Sequence, residues 1–287
     1  MATTIPASFT IFRSNNEITD LQISTISTRQ QNVRTAVEKD YEVLKSFLTG
    51  SYKRSTLISP LTEADIDIFV VLSVDHYKSD GAASVLDGIR RTLLKTYTKS
   101  PKISRNGQAV TITFTDFIVD VVPAFNRKGG GFLIPDSKNN AWISTDPTVH
   151  ETYLSTANAA HNGDLVPVIK MIKRWNREIG RSFRTFYLEL VAVDIFNNVT
   201  LSSDSSAVRY FFDKGRSKIG FKSIDPAGFG NQVDPLDNCS SVENAKSRFE
   251  TAYNRAINAE AYEKSGKNQL AVEEWRKIFG DRFPAYG

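Results

Sequence analysis

Apolar residues recur at helical spacing in the first fifty residues of the chain. Gly50 interrupts this pattern, and a polar segment over 52–64 follows it. Spacings of three, four and seven residues place side chains on one face of an α-helix, so the pattern predicts one long amphipathic helix of roughly 25 residues that runs behind two lobes. The positions that form the predicted face are Ile26, Val33, Val37, Tyr41, Leu44 and Leu48.

Strand patterns dominate the next part of the chain. The segment 65–72 alternates at its start and then becomes continuously apolar, which is typical of a strand that enters a core. Two further strands are predicted at 109–115, which alternates, and at 117–122, which Pro123 ends. The segment 84–97, which lies between these strands, has a helical pattern.

Beyond about residue 150 the strand patterns nearly disappear and helical patterns replace them. Asp164 is suited to cap a helix with an apolar stripe, and 183–196 and 242–257 also predict helices. Mixed α+β sequence followed by helical sequence predicts an α+β protein with two lobes and a cleft between them. We assign 1–150, which includes the long helix, to a mixed-sheet lobe and 151–287 to a helical lobe.

Composition narrows the class of protein without identifying it. The 287 residues are 40% hydrophobic, and a net charge of +4 is too small to indicate a nucleic-acid partner by itself. Cys239 is the only cysteine, and with three histidines the chain lacks the clustered ligands of a structural zinc site. Because neither a signal segment nor a long apolar run is present, the sequence predicts a cytoplasmic protein without a membrane partner.

Two acidic residues share one face of the first predicted strand. Asp65 and Asp67 lie two residues apart, so their side chains point to the same side and those of the intervening residues point to the other. Two such carboxylates repel each other unless a cation lies between them, and Mg²⁺ prefers carboxylate and phosphate oxygens. The pair is a candidate Mg²⁺ site, although Asp-x-Asp is also common at exposed strand ends.

A third acidic residue lies in a later predicted strand. Asp120 is flanked by apolar residues, and a buried ionised carboxylate is costly unless it pairs with a base or binds a metal. Two interpretations remain open: a salt bridge to a Lys or Arg, or the third ligand of a site with two metal ions. Asp116 is the rival third acid, but it falls at the predicted turn before this strand, where Asp is common.

Gly50 and Ser51 stand between the predicted long helix and the first acidic strand. Glycine lets the backbone approach a phosphate closely, and a serine hydroxyl with neighbouring amides donates hydrogen bonds to it. Alone, a Gly-Ser pair is usually just the end of a helix. Followed by Asp-x-Asp and a distant third acid, it predicts a nucleotidyltransferase site.

These motifs resemble the signature of the DNA polymerase β-like nucleotidyltransferases, and within them the CD-NTases, relatives of cyclic GMP-AMP synthase and oligoadenylate synthase. The similarity covers nearly the whole chain, and it implies the polymerase β-like fold. It also implies a two-metal reaction that condenses ATP or other nucleoside triphosphates into a cyclic di- or trinucleotide for anti-phage signalling. The segments that resemble the family are 50–56, 65–68, 119–125, 134–136, 142–143, 145–147 and 165–176.

The resemblance further implies roles for individual residues. Lys173 would contact the triphosphate, although the basic flank that it forms with Lys170 and Arg177 is also typical of a solvated helix face. Asp225 would lie beside the nucleobase, although a turn-rich loop explains its segment equally well. The full set is Asp65, Asp67 and Asp120 for two Mg²⁺ or Mn²⁺ ions, and Gly50, Ser51, Arg54, Lys173, Thr185 and Asp225 for the nucleotide.

Several alternatives and partners remain open at this stage. A linear oligoadenylate synthase, a tRNA-end-adding enzyme and a catalytically silent nucleotide-binding regulator are the competing functions. The chain has no cysteine-histidine cluster and no long basic extension, which argues against activation by double-stranded DNA. The end of the sequence, with Pro284 and Gly287, resembles the tails of synthases that a ubiquitin-activating-like partner conjugates through the terminal carboxylate, while a frayed end without a role is the alternative.

Overall fold

The computed structural model describes residues 2–99 and 102–287, which form two compact units. One unit, which we call the sheet unit, is Ile18–Glu151. The other, the helical unit, combines Thr152–Gly287 with the N-terminal segment that ends at Glu17. The predicted α+β class, with a mixed sheet in one part and helices in the other, is confirmed.

The helices and strands follow one another in a simple order along the chain. The N-terminal part contains α1 (Ile5–Asn15), α2 (Asp20–Val37), β1 (Val43–Leu48), α3 (Gly50–Lys53), β2 (Asp65–Leu72), α4 (Ala82–Thr96), β3 (Lys102–Asn106), β4 (Ala109–Thr113), β5 (Ile118–Asn126), β6 (Phe132–Asp136) and β7 (Ala141–Thr145). The rest contains α5 (Pro147–Ala160), α6 (Leu165–Glu178), α7 (Thr185–Phe196), α8 (Asp204–Lys218), β8 (Ser223–Ile224), β9 (Gln232–Val233), α9 (Val242–Lys264) and α10 (Asn268–Phe279).

The sheet unit is built around strands in the order β1-β2-β5-β4-β3. β2 and β5 are parallel, while β1, β4 and β3 join them in antiparallel pairs. One face of these strands is fully apolar, with Ile66, Ile68 and Val119 buried against residues of α2 and α4 such as Val33 and Leu86. Since side chains alternate along a strand, the polar residues between them lie on the opposite face.

The predicted long helix is wrong in its length. α2 ends at Val37, and Val43–Leu48 forms strand β1, which pairs with β2. The apolar positions of such a short segment fit both a helical and a strand period, and periodicity alone does not separate them. Pairing with the edge of β2 satisfies the backbone of this segment, so Gly50 follows a strand rather than the spine helix that we predicted.

The first seventeen residues were assigned by sequence to the sheet unit, but their contacts lie in the helical unit. α1 buries Phe9 and Phe12 in that core, where the ring of Phe9 lies 5.0 Å from Trp275 and the ring of Phe12 lies 4.6 Å from Phe279. Arg13 adds hydrogen bonds to Asp204. Burial of such large aromatic side chains outweighs proximity in sequence, and this explains the difference.

The C-terminal tail becomes exposed after the buried Phe283. Phe283 is fully buried, whereas 285–287 are exposed. The backbone N–H of Gly287 donates a 3.4 Å hydrogen bond to the carbonyl of Ala2, and Tyr286 forms a β-bridge with the same residue. Conjugation through Gly287 remains a prediction, and a partner that takes up the tail would first have to separate this bridge.

Within the described residues, none of the helices has the length and apolar character needed to cross a membrane.

Candidate active site

The structure places the three predicted acidic residues on one face of the sheet, opposite the apolar core that packs against α2 and α4. Asp67 of β2 lies directly beside Asp120 of β5, because these parallel strands pair in that register. Adjacent strands are about 4.8 Å apart, so the two carboxylates are close neighbours. Asp65 precedes Asp67 by two positions on the same face and is exposed at the start of β2. The sequence pattern thus predicted that Asp65 and Asp67 share a face of β2. The pairing of β2 with β5 places Asp120 beside them.

Asp120 is a half-buried carboxylate at the centre of this group. Burial raises its pKa, a hydrogen bond from the hydroxyl of Thr111 opposes that rise, and the negative charge of Asp65 raises the pKa further. The charged form of Asp120 is therefore disfavoured by its surroundings. Thr111 lies beside it in register on β4, and the sequence analysis did not single out this threonine. Its position in the alternating β4 pattern is the signal that could have indicated it.

The rival third acid, Asp116, has a different role in the structure. Its two carboxylate oxygens accept hydrogen bonds of 2.6 and 2.9 Å from Arg29 of α2, and one of them also accepts from the backbone N–H of Phe117. The guanidinium of Arg29 stacks 3.9 Å from the ring centroid of Phe114. Asp116 thus links α2 to the turn before β5. This structural role accounts for an acidic residue at position 116 without a role in metal binding.

The acidic side chains on this face are of the chemical type that binds a divalent cation. In the part of the chain that the structure describes, no three acidic, histidine or cysteine side chains are gathered into a complete ligand set. However, Asp67 and Asp120 lie side by side, and burial together with the negative charge of Asp65 raises the pKa of Asp120. Carboxylate oxygens in such a group are the ligands that Mg²⁺ and Mn²⁺ accept, and a cation would offset the repulsion between them.

Gly50 lies against Asp67, where only glycine fits. Its φ is +63°, and a Cβ added there would lie 1.8 Å from Oδ2 of Asp67. The preceding residue Thr49 donates its backbone N–H to the carbonyl of Asp67 at 3.0 Å, so the chain turns tightly at the end of β1. The close approach of backbone and carboxylate joins the Gly-Ser turn to the acidic group. Sequence reasoning placed these residues in one site but had no means to see this contact.

Ser51 and Arg54 belong to the same turn. Ser51 lies in the short helix α3, and its carbonyl accepts a 2.9 Å hydrogen bond from the backbone N–H of Thr56. Arg54 ends that helix, with its N–H donated to the carbonyl of Gly50 at 3.2 Å, and is half-buried. Backbone hydrogen bonds thus stabilise the turn and fix the positions of the Cα atoms of Ser51 and Arg54.

The other predicted nucleotide contacts belong to the helical unit. The expectation of a solvated basic face on α6 is wrong for Lys170 and Lys173, because both side chains are buried. Lys170 pairs with Glu17 at 2.6 Å, and Lys173 pairs with Glu189 of α7 at 3.0 Å. Both members of the second pair are almost inaccessible, with side-chain exposures of 6% and 1%. A contact of Lys173 with the triphosphate stays a prediction, and the ion pair gives this lysine a structural role.

We expect Lys173→Ala to lower the free energy of unfolding by about 3–5 kcal/mol, because it breaks a buried ion pair by removing one partner. Lys170→Ala is the matched control one turn away, and its loss should be smaller because Glu17 is half exposed. Thermal or urea unfolding measures both. Equal unfolding free energies for the two variants would contradict this prediction.

A double variant separates the structural role of Lys173 from nucleotide binding. Lys173→Met with Glu189→Leu removes both charges, and should regain most of the lost stability. If this folded variant still binds ATP more weakly than the wild type, Lys173 contacts the nucleotide. If its affinity equals that of the wild type, the lysine serves the fold alone.

Thr185 and Asp225 differ in their exposure to solvent. Thr185 is the first residue of α7 and is exposed, so its hydroxyl is accessible. Asp225 is buried after β8, and its Oδ1 accepts a 2.9 Å hydrogen bond from the N–H of Ala227 within the same loop. The turn-rich loop explains the conformation of Asp225, so a contact with a nucleobase remains a prediction.

Comparison with known families decides how this group of residues is interpreted. The family model for the Second Messenger Oligonucleotide or Dinucleotide Synthetase domain matches residues 3–158, more than half of the chain. The chain belongs to this family. By its description, the family comprises synthetases of second-messenger oligonucleotides or dinucleotides, and this agrees with the nucleotidyltransferase resemblance in the motifs. The matched region contains all three acids and the Gly-Ser turn.

Individual relatives agree with the family. A probable cyclic nucleotide synthase of Bacillus cereus (strain VD146) is 27% identical over 274 residues, covering 83% of this chain and 81% of that protein. The cyclic AMP-AMP-AMP synthase of an Acinetobacter species is 27% identical over 291 residues, covering 94% and 83%. The structure of the E. coli MS115-1 synthetase CdnC with ATP has a TM-score of 0.78 at 20% identity, covering 98% and 99%. This likeness confirms the predicted nucleotidyltransferase fold.

Proposed function

We propose that this synthetase joins ATP, alone or with other nucleoside triphosphates, into a cyclic di- or trinucleotide that serves anti-phage signalling, with release of pyrophosphate. The observation that supports the proposal is the acidic group of Asp65, Asp67 and Asp120 on one open face, with Gly50 packed against it. Two sequence relatives are named as cyclic AMP-AMP-AMP synthases, which supports ATP as a substrate.

Asp65, Asp67 and Asp120 would hold two divalent ions. Bound Mg²⁺ or Mn²⁺ supplies Lewis-acid stabilisation of the charge that develops on the attacking and leaving oxygens. Asp120 has a further role, because its position beside Asp67 in the acidic group places its carboxylate next to the proposed ions. In this proposal Asp120 receives the proton of the ribose hydroxyl as the oxygen attacks the α-phosphorus.

The remaining residues would bind and orient the donor nucleotide. The Gly50-Ser51 turn offers backbone amides and a hydroxyl beside Asp67, which suits a triphosphate that shares the cations of the acidic group. Arg54 adds positive charge at the end of the same turn. We also propose Lys173 and Thr185 as contacts of the triphosphate, and Asp225 as a neighbour of the base.

The test is a synthesis assay with radiolabelled nucleoside triphosphates and Mg²⁺ or Mn²⁺, followed by phosphatase treatment and chromatography. A product that resists phosphatase is a ring and supports the proposal. A phosphatase-sensitive ladder indicates a linear oligoadenylate synthase, and extension of an added tRNA indicates an end-adding enzyme. The absence of product with every triphosphate and metal would favour a silent nucleotide-binding regulator.

A further inference from the structure

A row of polar side chains crosses three strands of the sheet unit. Asp67 on β2 is in register with Asp120 on β5, and Asp120 is in register with Thr111 on β4. All three lie on the face opposite the apolar core, because the residues beside them in each strand are buried. The row places the hydroxyl of Thr111 on the side of Asp120 that faces away from Asp67.

We infer that Thr111 is a positioning residue that holds the carboxylate of Asp120 in the orientation required for metal binding. This inference rests on the proposed function of the acidic group. The hydroxyl of Thr111 donates a short hydrogen bond to Oδ1 of Asp120. One fixed oxygen restricts rotation of the carboxylate and leaves the other oxygen for a cation.

The chemistry of threonine suits this role better than that of a basic residue. A Lys or Arg beside Asp120 would neutralise the charge that a divalent ion needs, whereas a hydroxyl orients the carboxylate and leaves its charge in place. The β-branched side chain of threonine also has a restricted χ1 in a strand, so the donor itself is held. Thr111 therefore orients the carboxylate of Asp120 from one neighbouring strand, and Asp67 lies beside Asp120 on the other.

The test compares Thr111→Val, Thr111→Ser and Thr113→Val in the full chain. Valine keeps the shape of threonine and removes the hydroxyl, whereas serine keeps the hydroxyl. Thr113 is the matched control, because it lies on the same strand and face but in register with Ile118. The measurements are kcat and KM for ATP, the affinity for Mn²⁺ by electron paramagnetic resonance of the free ion, and the melting temperature.

We expect Thr111→Val to lower kcat by about 10–100-fold with little change in KM, and to weaken Mn²⁺ binding by a similar factor. Thr111→Ser should retain both properties to within about threefold, and Thr113→Val should match the wild type. A folded Thr111→Val variant with wild-type kcat and Mn²⁺ affinity would overturn the inference. Equal damage in Thr111→Ser and Thr111→Val would overturn it as well, because the hydroxyl would then not be the cause.

Failure of this inference can be distinguished from failure of the proposed function. If Asp65→Ala with Asp67→Ala still makes product, the acidic group is not the active site. If that double variant is inactive and Thr111→Val is as active as the wild type, only the role of Thr111 is wrong. The Mn²⁺ measurement requires no activating signal, so it reports on Thr111 even when synthesis by the wild type is slow.

Discussion

Synthesis of the cyclic product should be abolished when Asp65 and Asp67 are both replaced by alanine, while the protein keeps its fold. Each group that stabilises charge in such a site contributes on the order of 10²–10³-fold to the rate, so we expect a loss greater than about 10³-fold. Asp65 is exposed and Asp67 is half-buried beside Asp120, so their replacement leaves no large cavity in the core, and the variant should still unfold cooperatively.

The matched control for this double variant is Asp116→Ala in the same unit. Because Asp116 pairs with Arg29, its replacement should lower the melting temperature but leave synthesis active. The assay is turnover of radiolabelled triphosphate, with thermal unfolding of each variant. If the Asp65 and Asp67 double variant formed product at the wild-type rate, these residues would not belong to the active site. Loss of activity in folded Asp116→Ala would make Asp116 a candidate for the third metal ligand again.

Part of the active site follows from the sequence because its residues are local. The alternation of Asp65-Ile66-Asp67-Ile68 defines both faces of β2 without knowledge of its neighbours. Asp120 was also recognisable, since a carboxylate in an apolar strand requires a reason. The partners of these residues depend on strand register, which sequence periodicity does not specify across long separations. Thr111 was missed for that reason. The sequence analysis preferred Asp120 to Asp116, and the contact of Asp116 with Arg29 adds a structural role for the rival acid.

The wrong predictions concern packing between distant elements. Tyr41, Leu44 and Leu48 extend the helical period of α2 by coincidence, and pairing of β1 with β2 decides their structure. Phe9 and Phe12 could be assigned to a core only when Trp275 and Phe279 were known to surround them. For Lys173, a lysine on an amphipathic helix is normally solvated, and Glu189 on the next helix reverses that expectation.

Gly50→Ala should be the most damaging single change at the Gly-Ser turn. At a φ of +63° a Cβ is strained, and this alone costs about 1–2 kcal/mol of unfolding free energy. The added methyl group would also overlap Oδ2 of Asp67, at 1.8 Å, and the carboxylate would have to rotate away from its present position. Since Asp67 is a proposed metal ligand, we expect kcat to fall by about 100-fold or more, with a comparable loss of Mn²⁺ affinity.

Gly107→Ala separates backbone strain from the contact with Asp67. Gly107 has a φ of +61° in the turn between β3 and β4, and a Cβ there would meet no atom within 4 Å. Both variants should therefore lose a similar 1–2 kcal/mol from the positive φ, but only Gly50→Ala should lose synthesis and Mn²⁺ binding. Unfolding by urea gives the first quantity, and turnover with Mn²⁺ titration gives the others. If Gly107→Ala lowers kcat as much as Gly50→Ala, general destabilisation is the cause, and the proposed coupling of Gly50 to Asp67 is wrong.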